Sequence, residues 1–250
     1  MNAILGIDVG ATGTKGAVVD PKTGKLLTEK IKIRTPDSKK PDDMIAVMNE
    51  LVDAFEWKGK PVGIGFPAII KDDRSWSASN IHKSWIGFRV REKISKALGC
   101  PVYVINDADA AGMAEIHFGQ GKGKSGTVLL LTLGTGIGSA LFINGILVPN
   151  TEFGQLYYKN SITEHYASNS ARKNKELSWE AFGKELNGVL EYIDFIFSPD
   201  LIILGGGISK KMENYEEHIS DKINIVPAHN LNNAGIIGAA MAYARFVGDQ

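Results

Sequence analysis

Twice along this 250-residue chain an apolar run stops at a glycine-rich turn and resumes as a second apolar run. The first instance covers 3–7, then Asp8, Gly10, Gly13 and Gly16, with the second run at 15–19. The later one covers 127–133, then Gly134, Gly136 and Gly138, and resumes at 139–143. Runs of this length bounded by glycine read as strands joined by tight turns. A chain that does this twice, with helical patterns after each, is expected to be an α/β duplication around a central cleft rather than one continuous sheet.

The rest of the pattern fills in that frame. In the first half a third strand begins near Lys25, after the turn Asp20-Pro21 and Gly24. Met44, Ile45, Val47, Met48, Leu51, Val52 and Phe55 are spaced as the buried face of a helix over 41–57. A strand at 61–66, a helix at 90–98 and a strand at 101–105 lead into Asn106-Asp107. Helical spacing at 107–118 marks the restart. After 146–148 come helices at 161–172 and 178–197, a strand at 201–204 and an Ala-rich final helix from 234. The expected lobes are 1–106, joined by a C-terminal helix at about 234–250, and 107–233.

Charge and cysteine content narrow the partners. Lys plus Arg and Asp plus Glu both number 28, so no net field draws the chain to nucleic acid or an anionic membrane. The single cysteine, Cys100, excludes an internal disulfide and a thiolate metal cluster and reads as a small filler before a strand. Residues 127–151 carry no charge, yet Gly134, Gly136, Gly138, Gly145 and Pro149 cut them to strand length, so no membrane span is expected. With no signal peptide pattern, the expected location is cytoplasmic.

Four motifs carry chemistry. In Asp8-Val-Gly10-Ala-Thr12-Gly-Thr14-Lys15, glycines let backbone amides face a ligand, while Thr12, Thr14 and Lys15 add hydroxyls and a cation, as a phosphate chain requires. Asp8, at a strand end, can hold Mg2+ through its water shell. A plain glycine-rich hairpin accounts for the same residues. Leu133-Gly-Thr135-Gly136-Ile-Gly138 is a second loop of this type, and Gly205-Gly206-Gly207-Ile-Ser209 follows a strand and opens a helix, where free amides suit an anion or a nucleotide. In Asn106-Asp107-Ala-Asp109 a strand end meets a helix start; Asp107 can accept a proton from an attacking hydroxyl and Asn106 can read its neighbour, or either can cap the helix. Asp109 reads as a first-turn acid. Asn80, Glu152 and Glu164 are further candidates for hydroxyl recognition.

This motif series, in this order and across essentially the whole chain, resembles the ROK family (repressors, open reading frames, kinases). Within it, Ser79-Asn-Ile-His-Lys-Ser-Trp85, Gly145-Ile-Leu-Val-Pro-Asn-Thr-Glu152 and Leu177-Ser-Trp179 are most similar to the short polyphosphate glucokinases. The resemblance implies a two-lobed, actin-like (ribonuclease H-like) ATPase fold and phosphoryl transfer from polyphosphate or ATP to the 6-hydroxyl of glucose. It implies Asp107 as base, with Asn80, Asn106, Glu152 and Glu164 on the sugar. Asp8, Gly10, Thr12, Thr14, Lys15, Thr135, Gly136, Gly205 and Gly206 fall to the phosphates and Mg2+. A homodimer is usual among similar proteins. A kinase for another hexose, a non-catalytic sugar-binding homologue and an actin-like ATPase are the competing readings.

The chain departs from the family pattern in three places. It lacks the cysteine-rich zinc motif of many members, so no zinc site is expected, and His165 reads as a surface or packing residue. Where the family has Glu-x-Gly-His, this chain has Glu152-Phe-Gly-Gln155, implying altered sugar preference or weaker glucose affinity. It opens directly on the first strand, so no DNA-binding domain is expected ahead of it. For polyphosphate, Lys122, Lys124, Arg172, Lys173, Lys175, Lys210 and Lys211 form a candidate cationic track or a solvated basic rim.

Overall fold

The computed structural model describes residues 3–230 and 233–248. The chain divides into two compact units, Met1–Ala114 with Asn233–Gln250, and Glu115–Asn232.

The first unit opens with strands β1 (Ile4–Val9) and β2 (Gly13–Val19), antiparallel in a register that pairs Asp8 with Lys15. Strand β3 is Ile31–Arg34, later than expected; near Leu26 there is only an isolated bridge to Val19. Helix α1 (Pro41–Ala54) starts with proline, whose missing N–H costs nothing in the first turn, and with Asp42 and Asp43 on the positive end of its dipole. It buries the six apolar side chains Met44 to Val52 that its periodicity marks, and stops three residues short of Trp57 because Glu56 turns left-handed (φ 50°). Strand β4 (Val62–Phe66), the small hairpin β5 (Ile70–Lys71) and β6 (Arg74–Ser75), helix α2 (Val90–Leu98) and β7 (Val102–Asn106) follow. Helix α3 (Asp107–Phe118) starts at the residue after β7 and carries the chain into the second unit.

The second unit repeats the plan. Strands β8 (Thr127–Leu133), β9 (Ile137–Ile143) and β10 (Ile146–Val148) are antiparallel neighbours. A two-strand hairpin, β11 (Tyr157–Tyr158) and β12 (Ser161–Ile162), leads to α4 (Glu164–Ala167) and α5 (Asn169–Asn174). The sequence pattern predicts one helix there. Ser168 divides it: its backbone is extended (φ −77°, ψ 160°) and its hydroxyl accepts the Ala171 N–H at 3.0 Å, the N-cap role serine favours over a helix interior. Helix α6 (Trp179–Phe197), capped by Ser178, and strands β13 (Leu201–Gly205) and β14 (Ile225–Pro227) complete the unit. Instead of an α-helix after β13 the chain forms 3₁₀ turns over Gly207–Asn214, broken at Lys211.

The sheets have orders β3-β2-β1-β4-β7 and β10-β9-β8-β13-β14. In each, three antiparallel strands are extended by two parallel ones, so both hairpin turns sit at the edge where the parallel strands end. Helix α7 (Ala234–Phe246) packs in the first unit, where Gly6 and Gly63 lie so close to the carbonyls of Ile236 and Ala239 that any side chain would collide with them. The last two residues of the expected 234–250 helix lie outside the described residues. Cys100 is buried before β7 as a small filler. Among the described residues no helix is long and apolar enough to cross a membrane.

Candidate active site

Open α/β sheets present ligand sites at the carboxyl ends of their strands, because there the chain leaves the ladder and backbone groups point outward. In the first unit that edge holds Asp8 on β1, Gly65 on β4 and Asn106 on β7, with Asp8 paired to Gly65 and Phe66 to Asn106. Two inter-strand steps, about 10 Å, separate the outer strands. Position 65 has no side chain because the helices close on it there; a Cβ would lie 3.3 Å from Ala110 Cβ and 3.7 Å from both Asp107 Cα and the Gly235 carbonyl at the start of α7. Asp8 and Asp107 thus share one sheet edge.

Around the first turn, Lys15 Nζ lies 3.4 Å from Asp8 Oδ2, and both side chains remain part exposed at 28% and 20%. Gly10 and the exposed Thr12 form the turn itself. Thr14 is buried, its hydroxyl 3.3 Å from that of Thr35. Thr35 also donates to the Gly10 carbonyl at 2.6 Å. It is a support residue without a local sequence signal, since it lies 25 positions from its partner. Asp8 offers one accessible carboxylate beside a cation, which fits a Mg2+ ion held chiefly by water and phosphate oxygens. Among the described residues no three His, Cys, Asp or Glu side chains are grouped to hold a metal by themselves.

Asn106 is buried and caps α3. Its Oδ1 accepts the N–H groups of Ala108 (2.9 Å) and Asp109 (3.0 Å), while Nδ2 donates to the Ala68 carbonyl (3.2 Å). Both lone pairs of the amide oxygen are therefore engaged, leaving one Nδ2 hydrogen for a ligand. Asp107 is half-buried, and its Oδ1 accepts the Ala108 N–H at 2.9 Å, which orients the carboxylate. Asn80 is exposed, in the loop before the short 3₁₀ turn Lys83–Trp85.

In the second unit five expected residues meet around one turn. The turn Gly134–Gly136 is closed by Gly134 N–H donating to the Gly136 carbonyl (3.0 Å). Behind it stands Glu164, whose Oε2 accepts the Ile137 N–H at 3.3 Å and whose Oε1 accepts Gln155 Nε2 at 3.2 Å. Glu152 joins the group; burial, and secondarily the charge of Glu164, push its carboxyl above the usual range. Ser139 fixes Glu152 from both flanks, donating to the Thr151 carbonyl (2.7 Å) and accepting the Phe153 N–H (3.0 Å). Thr135 at the turn's tip is exposed. Gly205 pairs with Thr132 at the same edge, and Gly206, with φ 82°, passes so close that a Cβ would sit 2.6 Å from the Leu133 carbonyl.

The basic residues separate. Arg172 lies with its guanidinium 4.2 Å from the Trp179 ring, and Lys211 Nζ is 5.8 Å from the same ring. Tyr215 stacks on Trp179 at 5.9 Å. Arg172 Nη1 donates to the Leu177 carbonyl (3.3 Å), while its Nε is buried with no partner among the described residues. This shelf adjoins the turn, because the Ser170 N–H, two residues before Arg172, donates to the Gly134 carbonyl at 3.2 Å. Lys175 is engaged elsewhere, with the His165 carbonyl at 2.7 Å. Lys124 is two residues from Gly126, whose N–H donates to Asn144 at the opposite end of β9. His165 is exposed, 2.7 Å from Ser161 Oγ.

Comparison with known proteins gives the arrangement a relationship. The ROK family profile matches residues 4–154. The chain is 42% identical over 239 residues to the polyphosphate glucokinase of Mycobacterium tuberculosis, covering 95% of this chain and 90% of that one. The inorganic polyphosphate/ATP-glucomannokinase of Arthrobacter sp. strain KM superposes with a TM-score of 0.94 at 42% identity, over 98% of this chain and 100% of that one. A ROK family glucokinase from Streptomyces griseus gives 0.81 at 23% identity over 96% and 98%, which speaks for the fold alone. The two five-stranded sheets are those of the actin-like ATPase fold. With the profile spanning more than half its length and its motifs at the strand ends of both sheets, the chain belongs to the ROK family.

Proposed function

We propose that this protein is a glucokinase that phosphorylates the 6-hydroxyl of glucose with polyphosphate or ATP. The observation that carries the reading is the convergence of Glu152, Gln155 and Glu164 on the Gly134–Gly136 turn, which sets hydroxyl-reading groups beside a backbone suited to phosphate. The 42% identity to polyphosphate glucokinase and to polyphosphate/ATP-glucomannokinase supports it.

Phosphoryl transfer asks a protein for positioning and charge stabilisation more than for covalent chemistry. Asp107, oriented by the Ala108 amide, takes the proton of the attacking hydroxyl. Asn106 shapes the base's surroundings by capping α3 and offers its remaining N–H to the sugar; Asn80 adds a polar group from its loop. Glu152, Glu164 and Gln155 select the other hydroxyls, since polar groups that a bound sugar covers but leaves unpaired penalise a wrong sugar. Lys15 and the Gly10–Thr14 turn neutralise the donor, with Thr14 acting through Thr35. The Thr135-Gly136 turn and the Gly205-Gly206 backbone offer their amides to phosphate oxygens. Mg2+ near Asp8 would supply charge neutralisation to the phosphates. A cytoplasmic, homodimeric enzyme belongs to the same reading, and sedimentation equilibrium tests the dimer.

The deciding experiment offers glucose, mannose, fructose and N-acetylhexosamines against ATP and long-chain polyphosphate, each with magnesium. Glucose 6-phosphate from both donors, falling about 10²- to 10⁴-fold in kcat with Asp107→Asn, is expected. Sugar binding without transfer from any donor would make the protein a non-catalytic homologue. Mannose is the favoured second sugar, because Gln155 stands in the position of the family histidine and the Arthrobacter relative is a glucomannokinase.

For the longer donor, the Arg172–Trp179–Lys211 shelf provides the path leading away from the turn. Arg172→Ala should raise the polyphosphate KM about tenfold at low salt and leave the ATP KM within twofold, with the gap narrowing as salt screens the contact. An equal effect on both donors would remove the shelf from this role.

A further inference from the structure

Glu164 makes a contact that sugar recognition does not require. Its Oε1 faces Gln155 on the hydroxyl-reading side, whereas Oε2 accepts the N–H of Ile137, the residue that follows the donor turn. The contact is close, because a side chain at Gly136 would displace Oε2 from its place. The glutamate is itself anchored: it opens α4, and the preceding Thr163 is buried and donates through Oγ1 to the Phe153 carbonyl at 2.6 Å. One carboxylate therefore spans two functions that arrive on different substrates.

We infer that Glu164 is a positioning residue for the phosphoryl donor, fixing the 134–136 turn through the Ile137 amide, and that sugar and donor affinities are coupled through this side chain. The inference rests on the sugar-kinase reading above. A hydroxyl that donates to Oε1 draws on the same carboxylate that holds the turn, so occupancy of the sugar subsite changes how firmly the turn is held. Coupling of this kind is reciprocal, since each ligand must alter the affinity of the other by the same factor.

The sign of one measurement separates this role from simple electrostatics. Glu164 is a negative charge beside a site for polyanions, so Coulomb's law alone predicts that removing it tightens donor binding. A positioning role predicts the reverse. The test is calorimetric titration of sugar-free enzyme with the β,γ-imido analogue of ATP and with tripolyphosphate. Glu164→Ala should weaken both about ten- to a hundredfold, the range for one hydrogen bond to a charged group, and Glu164→Gln, whose amide oxygen can still accept the Ile137 N–H, should weaken them less. Glu152→Gln, which removes the same charge from the same cluster without touching the turn, should leave donor affinity unchanged or tighter. Gly136→Ala should weaken it as Glu164→Ala does, and the double variant should be no worse than Glu164→Ala alone, because the truncated residue leaves room for the methyl group. Circular dichroism and the thermal midpoint confirm folding, and Gly136→Ala reports on the contact independently if Glu164→Ala is unstable.

Unchanged or tighter donor binding in Glu164→Ala, with wild-type enzyme that turns over glucose, would overturn the inference and leave the kinase standing. Wild-type enzyme that binds neither probe would sink both.

Discussion

The hairpin turn of the first unit and that of the second occupy the same place in the same strand order, but different chemistry holds them. In the first, Thr35 ties down the Gly10 carbonyl and the Thr14 hydroxyl, and a cross-strand cation, Lys15, stands by Asp8. In the second, a carboxylate holds the Ile137 amide from behind, and the neighbouring charges, Glu152 and Glu164, are both negative. The first turn can attract a phosphate by charge. The second must rely on the geometry of its backbone and on the cation shelf beyond it. The duplication supplied two similar frames, and what differs is which unit answers to Coulombic forces and which to shape.

The largest effect expected from that contrast is at Lys15. Lys15→Met should lower kcat/KM for both donors about 10²- to 10³-fold, the range for losing one preorganised charge-stabilising donor. Thr135→Val at the second turn should cost about tenfold or less, because its exposed hydroxyl adds to an already closed backbone turn. Steady-state kinetics with each donor checks both. Equal losses would erase the distinction between an electrostatic and a geometric half.

A smaller pair of effects sharpens the comparison. Thr35→Val frees the first turn, and Ser139→Ala frees the Glu152 segment and strands the Phe153 N–H. Each should cost about 1–3 kcal/mol in urea unfolding as a buried hydrogen-bonding group loses its partner. Their kinetic signatures should diverge: Thr35→Val raises the donor KM, and Ser139→Ala raises the glucose KM. If both raised the same constant, the division of labour between the turns would be wrong.

Much of this was legible in the sequence where the determinants are local. Helices at 90–98, 107–118, 178–197 and 234–246 stand in the sequence between clear stops, and the structure forms each of them to within a residue. The glycine clusters marked the strand ends because a close backbone approach excludes side chains there, as at Gly206. What escaped depends on contacts distant in sequence. Thr35 looks like any loop threonine until the fold brings it to Gly10. Ser168 interrupts a helix that periodicity alone joins, since a capping hydroxyl competes with a weak apolar pattern. The split of the basic residues came from strand direction: Lys124 and Lys211 lie toward opposite ends of one sheet.

The most delicate contrast concerns pH. Glu152 is half-buried and lies beside Glu164, so its carboxyl titrates above the usual range, whereas in the unfolded chain it returns to the ordinary value. A carboxyl whose folded pKa is raised favours the folded state when protonated; that contribution is full below the unfolded pKa and is lost as pH rises through the folded one. Glu152→Gln should therefore be more stable than the wild type at neutral pH, with the advantage vanishing on acidification below the ordinary glutamate range. Sugar binding runs the other way. The carboxylate form accepts hydroxyl protons, so wild-type glucose affinity should fall as pH drops through the raised pKa, and Glu152→Gln should bind weakly but without that step. Thermal midpoints and glucose titrations across the acid range measure the two trends on the same samples. A glucose-affinity step that survives in Glu152→Gln would take the titration away from Glu152, and the negative charge of the second unit would then act through another group.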